Sequence, residues 1–223
     1  MSPIAHRPWR APARASTHEL ARRLEDRFER QPLLDGPTPL QFAPRFSEAI
    51  GAQVYLKRDD HGSLTVAGAK ARKLERIIPQ VRRSGRDTLV TAGPAQSNTA
   101  RAIATACAMA GLQAELLLRA AETEPLQGNA LISMLTGARV ERCGELPWPE
   151  MEALAQDRAR RDPSAYLVPM GGTSTAGVAG MLGAVVAQAE GQRCQFGTQP
   201  RLDLGGDHDS LLLSSASGRC LPR

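Results

Sequence analysis

The sequence predicts an α/β protein built from parallel βαβ units, and two observations support this fold class. Short apolar segments alternate with longer segments whose apolar residues recur at helical spacing, from about residue 52 onward. Turns rich in glycine and proline separate the two kinds of segment. Strands that alternate with helices form a mostly parallel sheet with right-handed connections. Ligands bind beyond the carboxyl ends of such strands, so the segments after the predicted strands are the first candidates for a functional site.

The individual elements follow from spacing and from end signals. Strands are predicted at residues 52–57, 87–91, 114–118, 138–141 and 166–168. Helices are predicted at residues 46–50, 97–110, 123–136, 148–161 and 175–190, with one more that opens within 66–75 and ends before Gly85. Pro79 lies inside this last helix, where proline removes a backbone donor and typically costs about 3 kcal/mol or kinks the helix.

Three regions of the chain differ in character. Residues 1–30 are predicted to form an N-terminal arm and a short helix with Leu20, Leu24 and Phe28 on one face. Residues 31–190 hold the α/β pattern. Residues 191–223 show no helical face and no alternation of turns and strands, so an irregular tail is predicted there.

Composition excludes several classes of function. The net charge is +5, but the arginines are spread along the chain without interleaved aromatic residues, so we expect a solvated surface and no nucleic-acid partner. No apolar run approaches roughly 18 residues, and the basic N-terminus lacks an apolar signal core, so we expect a cytoplasmic protein without a membrane span. The four cysteines and four histidines are scattered, which predicts reduced thiols and no metal site.

Two segments carry candidate chemistry. The first, Val66–Glu75, opens a helix with Lys70 two residues after Gly68 and with Lys73 three residues further on. The second, Thr91–Arg101, runs from a strand through a Gly/Pro turn into a helix, whose exposed backbone N–H groups favour anions. The residues around Lys70 are compatible with two roles: a simple cation, or an amine that bonds covalently to a carbonyl cofactor.

A resemblance to a known family separates these alternatives. The segments that carry it are Gly36–Leu40, Arg45–Ser47, Tyr55–Asp60, Ala67–Glu75, Gln96–Asn98 with Arg101, Gly128–Asn129, Thr136–Ala138 and Val168–Gly172. Together they resemble the D-cysteine desulfhydrase / 1-aminocyclopropane-1-carboxylate (ACC) deaminase family, in family order and at family spacing. The resemblance implies a tryptophan-synthase-β-like fold and the cofactor pyridoxal 5'-phosphate (PLP).

The resemblance also implies roles for individual residues. Lys70 falls at the position that binds the cofactor covalently and moves a proton at Cα, while Lys73 is interpreted as a structural cation. Asn98 would bond to the phenolic oxygen of the cofactor, and Ser97 would face the substrate carboxylate, although Ser97 is also a plain helix N-cap. Gly171 and Gly172 would line the site, although the same pair is also an ordinary turn.

This sequence departs from the family pattern in three places. Ala69 replaces the asparagine that commonly precedes the lysine, and Thr99 replaces the histidine that usually follows the Ser-Asn pair. After about residue 190 the motifs end, although relatives continue with a glycine-rich phosphate cup. We therefore expect a fold whose C-terminal part is missing, with one sheet face uncovered, low stability, weak PLP binding and little activity.

The function that the resemblance implies is a PLP-dependent lyase or deaminase acting on a small amino acid. With D-cysteine the α,β-elimination would give pyruvate, ammonia and sulfide; ring opening of the cyclopropane amino acid would also give a 2-oxo acid and ammonia. A complete chain of this kind would form a homodimer. The alternatives are a non-catalytic remnant without PLP and an α/β module that binds a partner protein.

Overall fold

The computed structural model describes residues 17–34, 36, 38–62, 68–123 and 125–183. Its helices are Thr17–Arg27 (α1), Pro44–Ile50 (α2), Ala69–Arg83 (α3), Asn98–Ala110 (α4), Gly128–Leu135 (α5), Trp148–Arg161 (α6) and 175–183 (α7). Its strands are Leu40–Phe42 (β1), Tyr55–Lys57 (β2), Thr88–Pro94 (β3), Gln113–Arg119 (β4), Arg139–Arg142 (β5) and Ala165–Leu167 (β6). The predicted tail at 191–223 and the second half of the helix predicted at 175–190 lie outside the described residues.

The predicted parallel sheet is confirmed. Four strands lie in the order β5-β4-β3-β6, and every neighbouring pair is parallel. A parallel sheet with helices on both faces buries short apolar strands on both sides, and amphipathic helices between the strands provide that cover. The α/β class therefore follows from the alternation in the sequence.

Both faces of the central strands are covered. On one face Leu89 of β3 and Leu116 of β4 pack in a core with apolar side chains of α3 and α4. On the other face Val90 and Leu117 pack against Met151 of α6. The expectation of an uncovered sheet face is therefore wrong for β3 and β4, because α6 already occupies the second side.

A separate ribbon precedes the sheet. β1 and β2 pair antiparallel, with Leu40 opposite Lys57 and Phe42 opposite Tyr55. The strand predicted at 52–57 is thus present over its last three residues, but it does not join the parallel sheet. The sequence does not predict this ribbon, because its partner strand is only three residues long and follows two prolines.

Two helix predictions need correction. α3 runs unbroken through Pro79, which is itself buried, because the backbone carbonyl that proline leaves unbonded has a donor from another segment. α5 begins at Gly128 instead of residue 123. Gly128 has φ +54°, a left-handed conformation that does not fit inside a right-handed helix, so the helix starts there.

The other predicted helices are confirmed where the structure describes them: α7 over residues 175–183, and α2 from two residues before its predicted start. Ser97 caps α4, Gly111 ends it with φ +67°, and α6 spans the predicted residues. The apolar face expected for α1 is buried only in part. Leu20 stays 44 % exposed, whereas Phe28, which follows the last residue of the helix, packs against the core. Within the described ranges no helix is both long and apolar enough to cross a membrane.

Candidate functional site

The candidate site lies where β3 and β6 end and where α3 and α4 begin. β6 leads through Val168 and Pro169 into a short 3₁₀ turn, Met170–Gly172, which contacts α3, α4 and β3. The carboxyl ends of parallel strands lie at one edge of a sheet, and this is where α/β folds place their ligands. Ser97, Asn98, Gly171 and Gly172 lie just after β3 and β6, and Lys70 lies in the first turn of α3.

Lys70 is the second residue of α3, and its side chain is partly exposed. Gly68 precedes the helix with φ +74° and ψ −165°, a conformation open to glycine and costly for other residues. The structure therefore explains why a glycine stands two residues before the lysine: it turns the chain sharply into the helix.

Lys73 has a different role from Lys70. Its Nζ donates a 2.9 Å hydrogen bond to the carbonyl oxygen of Gly171. Burial lowers the pKa of Lys73, and the positive charge of Lys70 lowers it further. Lys73 thus connects α3 to the 3₁₀ turn, which agrees with its interpretation as a structural cation.

The two glycines of that turn are required by geometry. Gly171 and Gly172 have φ +74° and +68°, both in the left-handed region. An added Cβ on Gly172 would lie 3.4 Å from Cδ of Lys73, an ordinary contact. The positive φ angles, and not a lack of space, therefore favour glycine at both positions.

Ser97 and Asn98 stand at the N-terminus of α4. The hydroxyl oxygen of Ser97 accepts the backbone N–H of Ala100 at 3.1 Å, so the N-cap role is present. The side-chain oxygen of Asn98 accepts a hydrogen bond from Nδ2 of Asn129 at 3.0 Å. Gly93 leaves room for Ser97, since an added Cβ would lie 3.0 Å from the serine hydroxyl.

Gln96 and Asn129 are hydrogen-bonded to each other, and neither is among the site residues predicted from the sequence. Asn129 donates through Nδ2 to the backbone carbonyl of Gln96 and through its backbone N–H to the side-chain oxygen of Gln96, both at 2.9 Å. Nε2 of Gln96 donates to the carbonyl of Gln127 at 3.0 Å. The start of α5 is thereby fixed to the start of α4. The signal in the sequence was the presence of both residues in family motifs.

The structure brings the site residues together as two groups. One holds Lys70, Lys73 and the Gly171–Gly172 turn, and the other holds Ser97 and Asn98. The turn contacts both helices and so joins the groups. Among the described residues no hydrogen bond links Lys70 directly to Ser97 or Asn98. A nearby cleft beside Gln96, Ala120, Leu126 and Arg142 has a volume of about 30 Å³.

Two other kinds of chemistry find no support in the described residues. No group of three or more histidine, cysteine, aspartate or glutamate side chains is placed to hold a metal ion there. Cys107 and Cys143 are free thiols. Burial raises the pKa of Cys107 to about 12, and burial together with Glu141 raises that of Cys143 to about 11. Neither is a thiolate at neutral pH, so neither is suited to nucleophilic catalysis.

Comparison with known proteins identifies the family. A profile of the family described as "pyridoxal-phosphate dependent enzyme" matches residues 32–220. D-cysteine desulfhydrases of Salmonella paratyphi B and Salmonella newport are each 36 % identical to this chain over 176 residues, covering 76 % of this chain and 53 % of theirs. The profile match includes most of the segment after residue 190, where the sequence shows no family motif.

Solved structures agree with this result. The crystal structure of an ACC deaminase homologue superposes with a TM-score of 0.69 at 33 % identity, over 83 % of this chain and 55 % of that one. A fungal L-serine ammonia-lyase from Rhizomucor miehei has a TM-score of 0.59 at 21 % identity, over 76 % of this chain and 50 % of that one, and supports the fold alone.

The fold and the family match define the chain as a PLP-type α/β protein, with the tryptophan-synthase-β-like fold that its motifs imply. The chain belongs to the pyridoxal-phosphate dependent enzyme family, and the curated relatives named above are D-cysteine desulfhydrases. It spans about half the length of these relatives. The family resemblance stated from the sequence motifs is confirmed.

Proposed function

We propose that this chain supplies the lysine-bearing part of a PLP-dependent lyase or deaminase that acts on a small amino acid, with D-cysteine as the first candidate substrate. The observation that carries the proposal is the position of Lys70 in a matching family. It stands two residues after a positive-φ glycine at the start of α3, one helical turn before Lys73, which bonds to the turn that follows β6. The name of the curated relatives favours elimination of sulfide from D-cysteine.

The donor set present fits the cofactor. An aldehyde requires an amine, which Lys70 provides. A ring oxygen requires a donor, and Asn98 can use its Nδ2 because its side-chain oxygen is already bonded to Asn129. The N-terminus of α4 suits an anionic group, since its first N–H groups lack helical acceptors. Lys70 and Asn98 would hold the cofactor, and Gly171 and Gly172 would line its site.

PLP, when bound, withdraws electrons from Cα of the amino acid and so makes its proton acidic. Lys70 would bind the cofactor covalently and then take the proton from Cα of the substrate. Ser97 would orient the substrate: its oxygen already accepts from Ala100, so its own O–H can donate to the substrate carboxylate.

We also propose that this protein acts in the cytoplasm and that the complete enzyme is a homodimer.

The test is cofactor trapping on the purified chain. Titration with PLP followed by borohydride reduction and peptide mapping should place the label on Lys70. Lys70→Ala should abolish the trapped label, whereas Lys73→Arg keeps a donor to the Gly171 carbonyl and should retain it. Release of sulfide and pyruvate from D-cysteine would then establish the reaction. A label on Lys73 with none on Lys70 would refute the assignment.

A second candidate is a module that binds a partner protein, and one observation favours it. The β1–β2 ribbon and α2 together expose four large apolar side chains, namely Phe42, Phe46, Ile50 and Leu56, each between 44 % and 57 % exposed. Exposed apolar clusters of this kind often mark interaction sites. A folded chain that binds no PLP and changes its size on mixing with a partner would favour this candidate.

A further inference from the structure

Asp59 contacts the chain on both sides of Lys70. Its backbone carbonyl accepts the N–H of Gly68 at 2.6 Å, two residues before the lysine. Its carboxylate accepts a hydrogen bond from Nη2 of Arg72 at 3.0 Å, two residues after it. One residue, two positions after the end of β2, therefore holds the segment 68–72 at both ends.

The first turn of α3 lacks a capping side chain at its N-cap residue, Gly68. Helix starts normally gain about 1 kcal/mol from such a side chain. Asp59 holds this turn in another way: it accepts the N–H of Gly68 itself and binds the side chain of Arg72.

The contact between Asp59 and Arg72 is buried and supported from both sides. The side chain of Arg72 is 8 % exposed and that of Asp59 is 20 % exposed. The hydroxyl of Thr38 donates to Asp59 at 2.5 Å and accepts from Arg72 at 3.1 Å. Desolvation alone would raise the pKa of Asp59, but the hydrogen bonds from Arg72 and Thr38 outweigh it and lower that pKa. The carboxylate is therefore ionised at neutral pH and bound by a charge-assisted pair.

We propose that Asp59 is a positioning residue for Lys70: it fixes residues 68–72 and so sets the direction in which the first turn of α3 presents the lysine amine. The importance of Lys70 rests on the proposed function, whereas the contacts of Asp59 do not depend on it. Without the carboxylate, Arg72 would be left buried with Thr38 as its one remaining partner among the described residues, and the first turn would open locally.

The experiment compares Asp59→Asn with Asp60→Asn in the full chain. Asp60 is the matched control, because it is 61 % exposed and pairs only locally with Arg58 and His61. Hydrogen exchange of the amides at 68–72 should become about tenfold faster in Asp59→Asn, as expected for the loss of one hydrogen bond to a charged group. Asp60→Asn should leave these amides unchanged. Unchanged exchange in Asp59→Asn would overturn the proposal.

A second readout separates positioning from general destabilisation. The chain has three lysines, Lys57, Lys70 and Lys73, so a limiting amount of acetic anhydride reports their relative reactivity without any cofactor. In Asp59→Asn acetylation should rise at Lys70 relative to Lys73, whereas general unfolding would raise it at all three. Faster hydrogen exchange with an unchanged ratio of acetylation at Lys70 and Lys73 would show that Asp59 only stabilises the fold, and this would refute the proposal.

The two hypotheses fail differently in a third measurement. PLP trapping at Lys70 should fall several-fold in Asp59→Asn and stay at the original level in Asp60→Asn. Absence of trapping at Lys70 in the unmodified chain would count against the proposed function alone, because the exchange and acetylation results still decide the role of Asp59. Equal trapping in both variants and the unmodified chain would count against positioning.

Discussion

The backbone N–H of Gln31 donates a 2.8 Å hydrogen bond to the carbonyl oxygen of Glu75. In an unbroken helix this oxygen would accept from residue 79, but residue 79 is proline and has no N–H. The carboxylate of Glu75 is bound by the same segment, through two 2.9 Å bonds from Arg30 and one of 3.0 Å from the N–H of Leu33. Residues 30–33 therefore supply the hydrogen-bond donor that α3 lacks because residue 79 is proline.

Gln31→Pro should destabilise the protein by about 1–3 kcal/mol, because the buried carbonyl of Glu75 would lose its donor. Gln31→Ala keeps the backbone N–H and should change stability by less than about 0.5 kcal/mol. Chemical denaturation of both variants measures the difference. Equal stability of the two variants would show that the hydrogen bond contributes nothing.

Ser97→Ala should lower turnover more than it weakens PLP binding, because Ser97 is expected to face the substrate while Asn98 faces the cofactor ring. It should also lower stability by about 1 kcal/mol through loss of the cap on α4. Ser97→Thr keeps a hydroxyl and should preserve the cap and part of the rate. PLP titration alongside steady-state kinetics tests the division of roles, which an equal loss of affinity and rate would contradict.

The stabilising contribution of Asp59 should depend on pH in a defined direction. Desolvation raises its pKa, but hydrogen bonds from Arg72 and Thr38 and the charges of Arg72 and Lys57 lower it below the usual 3.8. A lowered folded-state pKa means that the contribution is complete above pH 3.8 and is lost as pH falls through the folded value. Asp59→Asn should therefore cost about 1–2 kcal/mol at pH 7 and progressively less below pH 3.8.

The measurement is urea denaturation of the original chain and of Asp59→Asn at pH 7 and near pH 3. The difference in unfolding free energy should shrink at the lower pH. A difference that stays constant or grows would mean that the ionised carboxylate is not the source of the stability.

Gly180→Ala should be strongly destabilising, whereas Gly183→Ala should not. An added Cβ at Gly180 would lie 2.0 Å from the backbone carbonyl oxygen of Arg72, so α7 would have to move away from α3. Such overpacking costs about 1–3 kcal/mol. At Gly183 the nearest atom is a guanidinium nitrogen of Arg76 at 3.6 Å, an ordinary contact. Thermal unfolding of both variants decides it, and similar transitions would contradict the close packing of α7.

Elements with local signals were predictable from the sequence. α4 carries its own cap residue and its own terminating glycine, and α6 has acidic residues early and basic residues late, so both could be placed within a residue. The parallel sheet followed from the alternation of elements. The positions of Lys70, Ser97 and Asn98 at helix starts followed from the motifs, although their roles remain predictions.

Contacts between distant segments were not predictable. Nothing near Pro79 indicates that Gln31 supplies the missing donor, and nothing near Gly68 indicates that its N–H bonds to the carbonyl of Asp59. A periodicity argument covers about one helix or strand and reports which face is apolar. Neither the register of the β1–β2 ribbon nor the pairing of Asp59 with Arg72 is a property of one element, so both required the folded structure.

The dependence of α3 on residues 30–33 also bears on how the chain folds as it is made. Arg30 and Leu33 precede their partner Glu75 by 45 and 42 residues. The donors that complete the helix therefore leave the ribosome before the helix does. α3 can acquire them as soon as it emerges, before the sheet strands after residue 87 have left the ribosome. The order of translation thus makes the donor for the Glu75 carbonyl available before the proline-containing helix is complete.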